Sequence, residues 1–396
     1  MKKKENGKRA ISKITLFISA LLLLSLILDS CRKDDYFKQG VGDGISPKVA
    51  TAGTVVYPEI FAGPENFSPL KGKLTTQTKT LSNSNFSNYE NGFYLVVKNG
   101  DGNGLNVVQG ADISVNGTVV ITMADFRKAP GILTCEITGL SETNTLDVQV
   151  KGKTTGVLSI WIEGVLKQDP LATFTDPRDG NVYDMVTIGT QTWMAENLAY
   201  LPSVSNSGSS TEPRYHVYGY EGTDVNAAKA TANYSTYGVL YNFAGAQAAV
   251  PAGWHLPSAA EWAALEDYLV ANGYNYDGST TPEPDWNKLA KAVSARTNWQ
   301  ASTFVGTPGY LPLINNSSRF AALPGGHWEG YPVMTGFWSY IGQVGNWWTS
   351  TLSGINDYYD YPCAYTQQVN SNEVATWRRN NGSTVLNAFS VRCVKD

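Results

Sequence analysis

A helix start between proline and glycine signals is the feature that most constrains how this chain can fold. Ser258 is followed three residues later by Glu261. This is the spacing of a capping box, in which the hydroxyl accepts a first-turn N–H and the carboxylate accepts the N–H of the cap residue. Apolar residues then recur on one helical face, at Trp262, Leu265 and Leu269. With Asn272-Gly273 as a stop, the pattern predicts a helix of about fourteen residues.

His255 lies just before this helix and is a candidate catalytic base by residue type. No Ser or Cys nucleophile motif accompanies it, and no second histidine lies within helical reach. We therefore expect a structural role for His255, and we expect Glu261 to act as a helix cap rather than as an acid.

Length and composition indicate two folded domains and give no electrostatic sign of a nucleic-acid partner. The chain has 396 residues, which is typical of two domains. Charged residues make up 16% of the chain and the net charge is −4, so electrostatics do not indicate a nucleic-acid partner. Ten of the eleven tryptophans and eighteen of the 22 tyrosines lie after residue 170, so the two halves differ in composition.

The N-terminus predicts a lipid anchor. Residues 1–30 place basic residues before an apolar run, Ile14 to Leu28, which is the order of a secretory signal. The run is shorter than the ~20 residues of a transmembrane helix. Leu28-Asp29-Ser30-Cys31 resembles a bacterial lipobox, so Cys31 is the expected lipidation site. The alternative is a stray cysteine that ends an uncleaved anchor.

The residues after Cys31 predict an address at the cell surface. Lys33, Asp34 and Asp35 resemble the export signal of Bacteroidota lipoproteins on the outer face of the outer membrane. A solvated charge run is the alternative. The predicted localisation is the outer membrane, lipid-anchored and exposed at the cell surface. Residues 31–48 contain several glycines and a proline, so they are predicted to be the lipidated Cys and a flexible tether.

Residues 49–168 are predicted to form an all-β sandwich. Short alternating segments follow one another, and Asn116-Gly117 supplies the preferred two-residue hairpin turn. Residues 64–90 fit the pattern worst and are predicted to be long loops. The module resembles the small β-sandwich domains beside the anchor of Bacteroidota surface lipoproteins. Its role is either binding or spacing, and spacing is the simpler interpretation.

The second half carries a series of motifs in a fixed order. They are Asp176-Pro177-Arg178-Asp179-Gly180, Gln191-Thr192-Trp193-Met194-Ala195-Glu196-Asn197-Leu198, Tyr237-Gly238-Val239-Leu240-Tyr241-Asn242, Pro251-Ala252-Gly253-Trp254-His255-Leu256-Pro257-Ser258, Leu323-Pro324-Gly325-Gly326, Trp347-Trp348-Thr349-Ser350 and Phe389-Ser390-Val391-Arg392-Cys393-Val394. This order resembles the Fibrobacter succinogenes major paralogous domain family over residues 174–396.

The resemblance implies a fold more clearly than a function. It implies an α+β domain on a plan similar to C-type-lectin-like and formylglycine-generating-enzyme-like domains, with paired helices beside an irregular sheet. It also implies a surface or secreted bacterial protein, and it brings no assigned reaction. A likeness at the level of fold does not determine function.

A second helix is expected to complete that plan. Asp285 is a suitable cap for a helix from Trp286 to Arg296. The spacing predicts a buried face of Trp286, Leu289, Ala290 and Val293, with Lys288, Lys291 and Arg296 toward water.

Two aromatic segments are candidate ligand-binding sites. A pyranose ring stacks on an aromatic face while planar polar groups bind its hydroxyls. The candidates are His327, Trp328 and Tyr331 in one segment, and Asp357, Tyr358, Tyr359 and Asp360 in the other. Plain surface positions are the alternative for both. A second group of tryptophans is predicted to lie in the core, namely Trp193, Trp254, Trp262, Trp347 and Trp348.

No metal or cofactor is predicted. Glu283-Pro284-Asp285 is similar to a C-type-lectin calcium motif, but it precedes the second helix and no Trp-Asn-Asp follows. Asp357 and Asp360 are two carboxylates in one loop, which is a weak calcium signal. Three isolated histidines and no Cys pair at zinc-finger spacing give no zinc ligand set.

The cysteine positions predict a disulfide in which Cys393 has an unusual partner. The resemblance implies a Cys just before Pro251, as the partner of the terminal Cys393, but Val250 occupies that position. Cys363 is the alternative partner for Cys393, provided that their Cα atoms come within about 7 Å.

The sequence leaves three function hypotheses. The first is a non-catalytic binding or adhesion protein that recognises a glycan or a host or matrix surface. The second is a fimbria-like or matrix component that binds other proteins. The third is an enzyme, which requires an acid/base pair near His327 and Glu329.

Overall fold

The fold is given by a computed structural model. It describes residues 31–33, 59–71, 74, 76–101, 105–128, 131–281, 286–330, 336–356, 361–378 and 383–396. The chain divides into two compact units, and the boundary falls between Lys167 and Gln168.

The first unit is a sandwich of two antiparallel sheets. Its strands are β1 (Cys31–Lys33), β2 (Glu59–Phe67), β3 (Gln77–Ser82), β4 (Tyr89–Asn99), β5 (Gly110–Val115), β6 (Thr118–Ile121), β7 (Ile132–Ile137), β8 (Thr143–Lys151) and β9 (Leu158–Leu166), with a 3₁₀ turn Phe86–Asn88 and the short helix α1 (Asp125–Lys128). The sheets have the orders β1-β7-β4-β9-β2 and β3-β8-β5-β6. Leu95 and Ile160 from one sheet share a buried core with Ile113 and Leu146 from the other.

The predicted turn is confirmed, and the predicted long loops are wrong. Asn116 and Gly117 connect β5 to β6 with φ angles of 49° and 80°, which a two-residue hairpin turn of this type requires. Residues 64–90, expected as loops, contain the end of β2 and all of β3. Because β3 is an edge strand that buries only Leu81, its side chains lack the apolar alternation that would have identified it.

The second unit is rich in β-structure, with several sheets and short helices. Its strands are β10 (Ala172–Thr175), β11 (Val182–Ile188), β12 (Gln191–Met194), β13 (Tyr215–His216), β14 (Leu240–Tyr241), β15 (Trp254–His255), β16 (His327–Glu329), β17 (Phe337–Ser339), β18 (Val344–Asn356), β19 (Tyr361–Asn370), β20 (Thr376–Arg378), β21 (Ser383–Thr384) and β22 (Val394–Lys395). Its helices are α2 (Val225–Lys229), α3 (Ala232–Tyr237), α4 (Phe243–Ala249), α5 (Ala259–Ala271), α6 (Ala290–Val293) and the 3₁₀ turn Pro312–Ile314.

Two sheets form the frame of this unit. One has the order β10-β11-β12-β22-β15, so β22, near residue 395, lies between strands that come from residues 191–194 and 254–255. The other has the order β18-β19-β20, with β21 also paired to β19. The pairs β13-β14 and β16-β17 form separate small hairpin-like ladders.

Helix α5 confirms the capping-box prediction. The Ser258 hydroxyl accepts the N–H of Glu261 at 3.2 Å, and Oε2 of Glu261 accepts the N–H of Ser258 at 2.7 Å. The helix ends at Ala271, with Asn272 as its cap. Its apolar face packs on the predicted core tryptophans, since the Trp262 ring lies 4.7 Å from Trp193. All five tryptophans predicted to be core are buried: Trp193, Trp254, Trp262, Trp347 and Trp348.

The second predicted helix is wrong in length and in orientation. Only Ala290–Val293 is helical, and Trp286, predicted to be buried, is 48% exposed. Lys291, predicted to face water, is buried. Its ammonium donates to the carbonyls of Tyr310 and Leu311 and to Oδ1 of Asn315. These neutral oxygens accept hydrogen bonds from the ammonium group, which allows the lysine to be buried. The spacing of apolar residues in the sequence does not reveal such partners.

A second buried cation joins distant motifs. The Arg392 guanidinium is fully buried and donates to Oδ1 of Asn197 at 3.1 Å and to the carbonyl of Ala321 at 2.8 Å, and it also donates to the Phe320 carbonyl. Oδ1 of Asn197 also accepts Nε1–H of Trp347 at 2.9 Å. Segments near residues 197, 320, 347 and 392 therefore meet in one hydrogen-bonded node.

His255 is a structural residue that links α5 to the end of the chain. Its Nε2 lies 2.7 Å from Oε1 of Glu261, and its Nδ1 lies 2.7 Å from Oδ1 of Asp396. Partial burial opposes its charged form, but the hydrogen bonds with Asp396 and Glu261 raise the pKa of His255. Burial likewise opposes the charged form of Glu261, but contacts with Ser258 and His255 lower its pKa.

We predict that this ion pair stabilises the second unit below neutral pH. A raised folded-state pKa means that the stabilisation is complete below the unfolded value, near ~6.5, and is lost as the pH rises through the folded pKa. His255→Gln should therefore lower the free energy of unfolding more at pH 5.5 than at pH 9. Urea unfolding followed by tryptophan fluorescence measures this difference, with Asp267→Asn, an exposed carboxylate on α5, as control. An equal loss at both pH values would contradict the prediction.

For Lys291 we predict the opposite pH dependence of the free energy of unfolding. Burial lowers the pKa of Lys291 to about 7. Between this value and the unfolded value near ~10.4, the unfolded chain binds the additional proton, so the free energy of unfolding should rise with pH. Lys291→Met removes the titration and should flatten the rise between pH 7 and 9.5, measured by urea unfolding of both proteins. Parallel pH profiles would refute this interpretation of Lys291.

Candidate functional site

The hairpin of β16 and β17 carries the candidate site. Residues directly opposite each other in an antiparallel pair point to the same face of the sheet. The register gives the pairs His327–Ser339, Trp328–Trp338 and Glu329–Phe337. One face of the hairpin therefore presents His327, Glu329 and Phe337, and the other presents the two tryptophans.

Two glycines allow the strands of the hairpin to lie close to each other and to the backbone at Leu386. A Cβ added at Gly330 would lie 2.3 Å from the Leu386 carbonyl oxygen, and one at Gly336 would lie 2.2 Å from the Glu329 carbonyl oxygen. Both distances are far inside van der Waals contact. Only glycine fits at these two positions with the backbone placed as it is.

A chain of hydrogen bonds orients the carboxylate of Glu329. Nε2 of Gln368 donates to Oδ1 of Asn346 at 2.8 Å, which sets the orientation of the Asn346 amide. Nδ2 of Asn346 then donates to Nδ1 of His327 at 3.0 Å. Since Nδ1 accepts, Nε2 carries the proton and lies 3.3 Å from Oε1 of Glu329. Three strands thus determine the histidine tautomer and the direction of one carboxylate.

Exposed aromatic rings flank this carboxylate. Phe337 is 47% exposed and Tyr340 is 52% exposed. The Tyr340 ring centroid lies 5.5 Å from that of His327. The Glu329 side chain is 28% exposed, whereas that of His327 is only 8% exposed. The accessible part of the site is therefore an oriented carboxylate, with Phe337 opposite it in the ladder and Tyr340 beside its supporting histidine.

Trp328 is not part of the accessible surface, which corrects its assignment as a ligand-binding residue. It is 1% exposed and packs with Leu240 and Ala388. Its ring stacks on His216 with a centroid distance of 4.5 Å and an interplanar angle of 17°. Because β16 alternates its faces, His327 and Glu329 turn toward one side while Trp328 turns into the core.

The tryptophan face of the hairpin covers a buried histidine. Neither ring nitrogen of His216 has a hydrogen-bond partner of good geometry. The Ser205 backbone favours the charged form of the ring, and Arg214 disfavours it. Burial lowers the pKa of His216 to about 4, so the ring is neutral at physiological pH. At the rim of this face, Nε1–H of Trp338 donates to Oε1 of Glu221 at 2.5 Å.

The cavity beneath α5 belongs to the core. It is lined by Trp262, Leu265, Glu266, Val293, Phe320, Trp347, Gln367, Val369 and Thr376. Nε1 of Trp262 and Oε1 of Gln367 have no protein partner there. Such polar atoms in a small cavity are typical positions for a buried water molecule.

Several predicted site residues lie outside the described residues. They are Asp34 and Asp35 of the export signal and Tyr331, Asp357, Tyr358, Tyr359 and Asp360 of the binding candidates. The signal peptide and most of the tether also lie outside. For Cys31 and Lys33, the structure describes the backbone of β1, which pairs with β7. Their predicted roles stay predictions.

Comparison with known proteins assigns the second unit. Residues 186–395, more than half of the chain, match the Fibrobacter succinogenes major domain. The chain belongs to this family. Searches of curated proteins and of solved structures gave no match. The matched range contains the α5 capping box, the Arg392 node and the β16–β17 hairpin, so all three are features of a Fibrobacter succinogenes major domain.

The disulfide predicted in this domain is not formed. Cys363 and Cys393 are both buried and each keeps its thiol. Cys363 lies in β19 opposite Thr384, with Sγ 3.9 Å from the Tyr361 carbonyl. Cys393 belongs to the core that contains Tyr241 and Trp348, and burial raises the pKa of its thiol. The two thiols occupy different surroundings, which linear spacing did not reveal.

The described ranges of the Fibrobacter succinogenes major domain and of the sandwich contain neither a metal-ligand cluster nor a membrane-spanning helix. Within these ranges, no three His, Cys, Asp or Glu side chains are grouped to hold a metal ion. No helix in the same ranges is both long and apolar enough to cross a bilayer.

Sequence reasoning missed four residues of the site. They are Phe337, Tyr340, Asn346 and Gln368, none of which was predicted as a site residue. The alternation in Phe337-Trp338-Ser339-Tyr340 is the signal of a short strand with aromatic residues on both faces. The Asn346–His327 contact joins different strands, and no local pattern indicates it.

We predict that truncating the two faces of the hairpin has very different effects on stability. Trp328→Ala removes a buried ring and should lower the free energy of unfolding by ~3–5 kcal/mol. Phe337→Ala removes a half-exposed ring and should cost at most about 1 kcal/mol. Denaturant unfolding of both variants tests the assignment. Equal losses would show that Phe337 is as much a core residue as Trp328.

Proposed function

We propose that the protein acts in non-catalytic binding at the cell surface, with a glycan or a host or matrix surface as its target. The observation that carries the proposal is the carboxylate of Glu329, oriented by His327 and flanked by Phe337 and Tyr340. Among the described residues of the hairpin region, Glu329, Phe337 and Tyr340 are accessible at the surface. This form suits recognition of an extended ligand better than turnover of a small one.

The chemistry of the site fits a sugar. The apolar C–H face of a pyranose packs on an exposed aromatic ring, and its hydroxyls donate to a planar acceptor. Phe337 and Tyr340 offer the rings, and Glu329 offers the acceptor. An acceptor that is already oriented loses little conformational entropy when it binds a hydroxyl.

We also propose that the binding domain is held at the outer face of the outer membrane. Support comes from the lipobox-like Leu28-Asp29-Ser30-Cys31 and from the charged residues that follow it. Acyl chains contribute about 0.8 kcal/mol per buried methylene, so a multiply acylated Cys31 holds a folded body at a membrane without a spanning helix.

A catalytic role is the second candidate, because His327 and Glu329 lie within hydrogen-bonding reach at 3.3 Å. The burial of His327 argues against it, since a general base must reach the substrate.

The C-type-lectin-like plan stays a prediction, since α6 is a single turn where that plan has a full helix.

A glycan array tests the binding role. The wild-type protein should bind a subset of glycans, and Phe337→Ala or Tyr340→Ala should weaken this binding at least about tenfold, the scale of one lost aromatic contact. Phe304→Ala is the matched control, because Phe304 is 63% exposed and lies outside the hairpin. A blank array for well-folded protein would contradict glycan recognition and favour protein partners.

Replacing the predicted lipidation site tests the anchor. Cys31→Ala should move the protein from the membrane fraction to the soluble fraction, because no acyl chain can then be attached. Cell fractionation followed by immunoblotting measures the distribution, and Cys363→Ala, which removes a buried thiol in the second unit, controls for loss of a different cysteine. Retention of Cys31→Ala at the membrane would overturn the lipoprotein proposal.

A further inference from the structure

The charge of the chain around the hairpin is unusual for its length. No lysine or arginine occurs between Arg319 and Arg378, whereas Glu329, Asp357, Asp360 and Glu373 all lie in that range. The strands that build the site, β16 to β19, belong to this segment. Any ligand that contacts the hairpin therefore meets a surface segment without a basic side chain.

The negative charge of Glu329 is not neutralised by the histidine beside it. A protonated His327 would need a proton on Nδ1, which points at the N–H of Asn346. Turning the Asn346 amide to accept that proton would break its hydrogen bond with Gln368. In the relay as the structure has it, Nδ1 of His327 is an acceptor, so the ring is drawn as neutral and does not cancel the charge of Glu329.

These two observations bear on the class of glycan. A carboxylate accepts hydrogen bonds from sugar hydroxyls, but it repels a carboxylate or sulfate on the ligand. Residues 320–377, which contain the strands of the site, supply no basic side chain to offset this repulsion. Basic side chains are the usual partners of anionic groups, because they donate charge-assisted hydrogen bonds.

Resting on the glycan-binding role proposed above, we propose that the hairpin site selects uncharged glycans and excludes those that carry carboxylate or sulfate groups. Glu329 is the residue that sets this selectivity. Phe337 and Tyr340 contribute affinity without distinguishing ligand charge.

Paired probes test the selectivity. Each neutral glycan bound by the protein is compared with the same scaffold carrying a sialic acid or a sulfate, at 20 mM and 300 mM salt. We expect the anionic member to bind at least about fivefold more weakly at 20 mM salt, the factor for two like charges about 4 Å apart in water. The ratio should fall to about twofold at 300 mM salt, where the Debye length of about 6 Å screens part of the repulsion.

Variants assign the effect to Glu329. Glu329→Gln removes the negative charge from the site, so the salt-dependent ratio between the anionic and the neutral probe should disappear, whatever the variant does to the affinity for the neutral probe. Glu329→Lys should invert the ratio. Asp267→Asn removes one exposed carboxylate elsewhere in the unit and should leave the ratio unchanged.

The outcomes separate this inference from the proposed function. Equal binding of neutral and anionic members, or a ratio unaffected by Glu329→Gln, overturns the selectivity while glycan binding stands. Binding of no glycan by folded protein overturns both.

Discussion

The second unit depends on one buried guanidinium. Arg392 donates to Asn197 and to the carbonyls of Phe320 and Ala321, and its guanidinium lies 4.6 Å from the centre of the Phe320 ring. Burial lowers the pKa of Arg392 to about 9, yet the group stays charged at neutral pH because its ordinary value is so high. A buried cation must have its donors satisfied, so every segment that supplies an acceptor is held in place. Strands β12 and β22, the segment near residue 320 and Trp347 are arranged around this requirement.

Neutral oxygens hold the buried cations of this protein. Lys291 follows the same principle as Arg392, with two carbonyls and one side-chain amide as acceptors. The relay from Gln368 to His327 uses amides to orient a charged group as well. In this chain, with only 16% charged residues, the oriented dipoles of carbonyl and amide groups take the place of counterions around buried charges. The carboxylate of Glu329 is then available at the surface and not consumed in an ion pair.

Local patterns predicted some of these features and could not predict others. The start of α5 and the turn at Asn116-Gly117 follow from interactions between residues three or fewer apart, so the sequence was sufficient. Trp328 and Lys291 were misassigned because their burial depends on partners far along the chain, His216 for one and Tyr310 for the other. The accessible rings of the site were missed for the same reason. Alternation identifies a strand, but only the tertiary fold decides which face meets water.

The position of Arg392 also has a kinetic consequence. Its hydrogen bond to Asn197 spans 195 residues of chain, and the node cannot close until both ends are present. Folds that depend on such distant contacts form their core late, because the entropic cost of closing the loop must be overcome before the contact can stabilise the fold. During synthesis, the Arg392 node would therefore stay open until residue 392 leaves the ribosome. Until that moment, Asn197 and the carbonyls near residue 320 lack the cation that they surround in the finished fold.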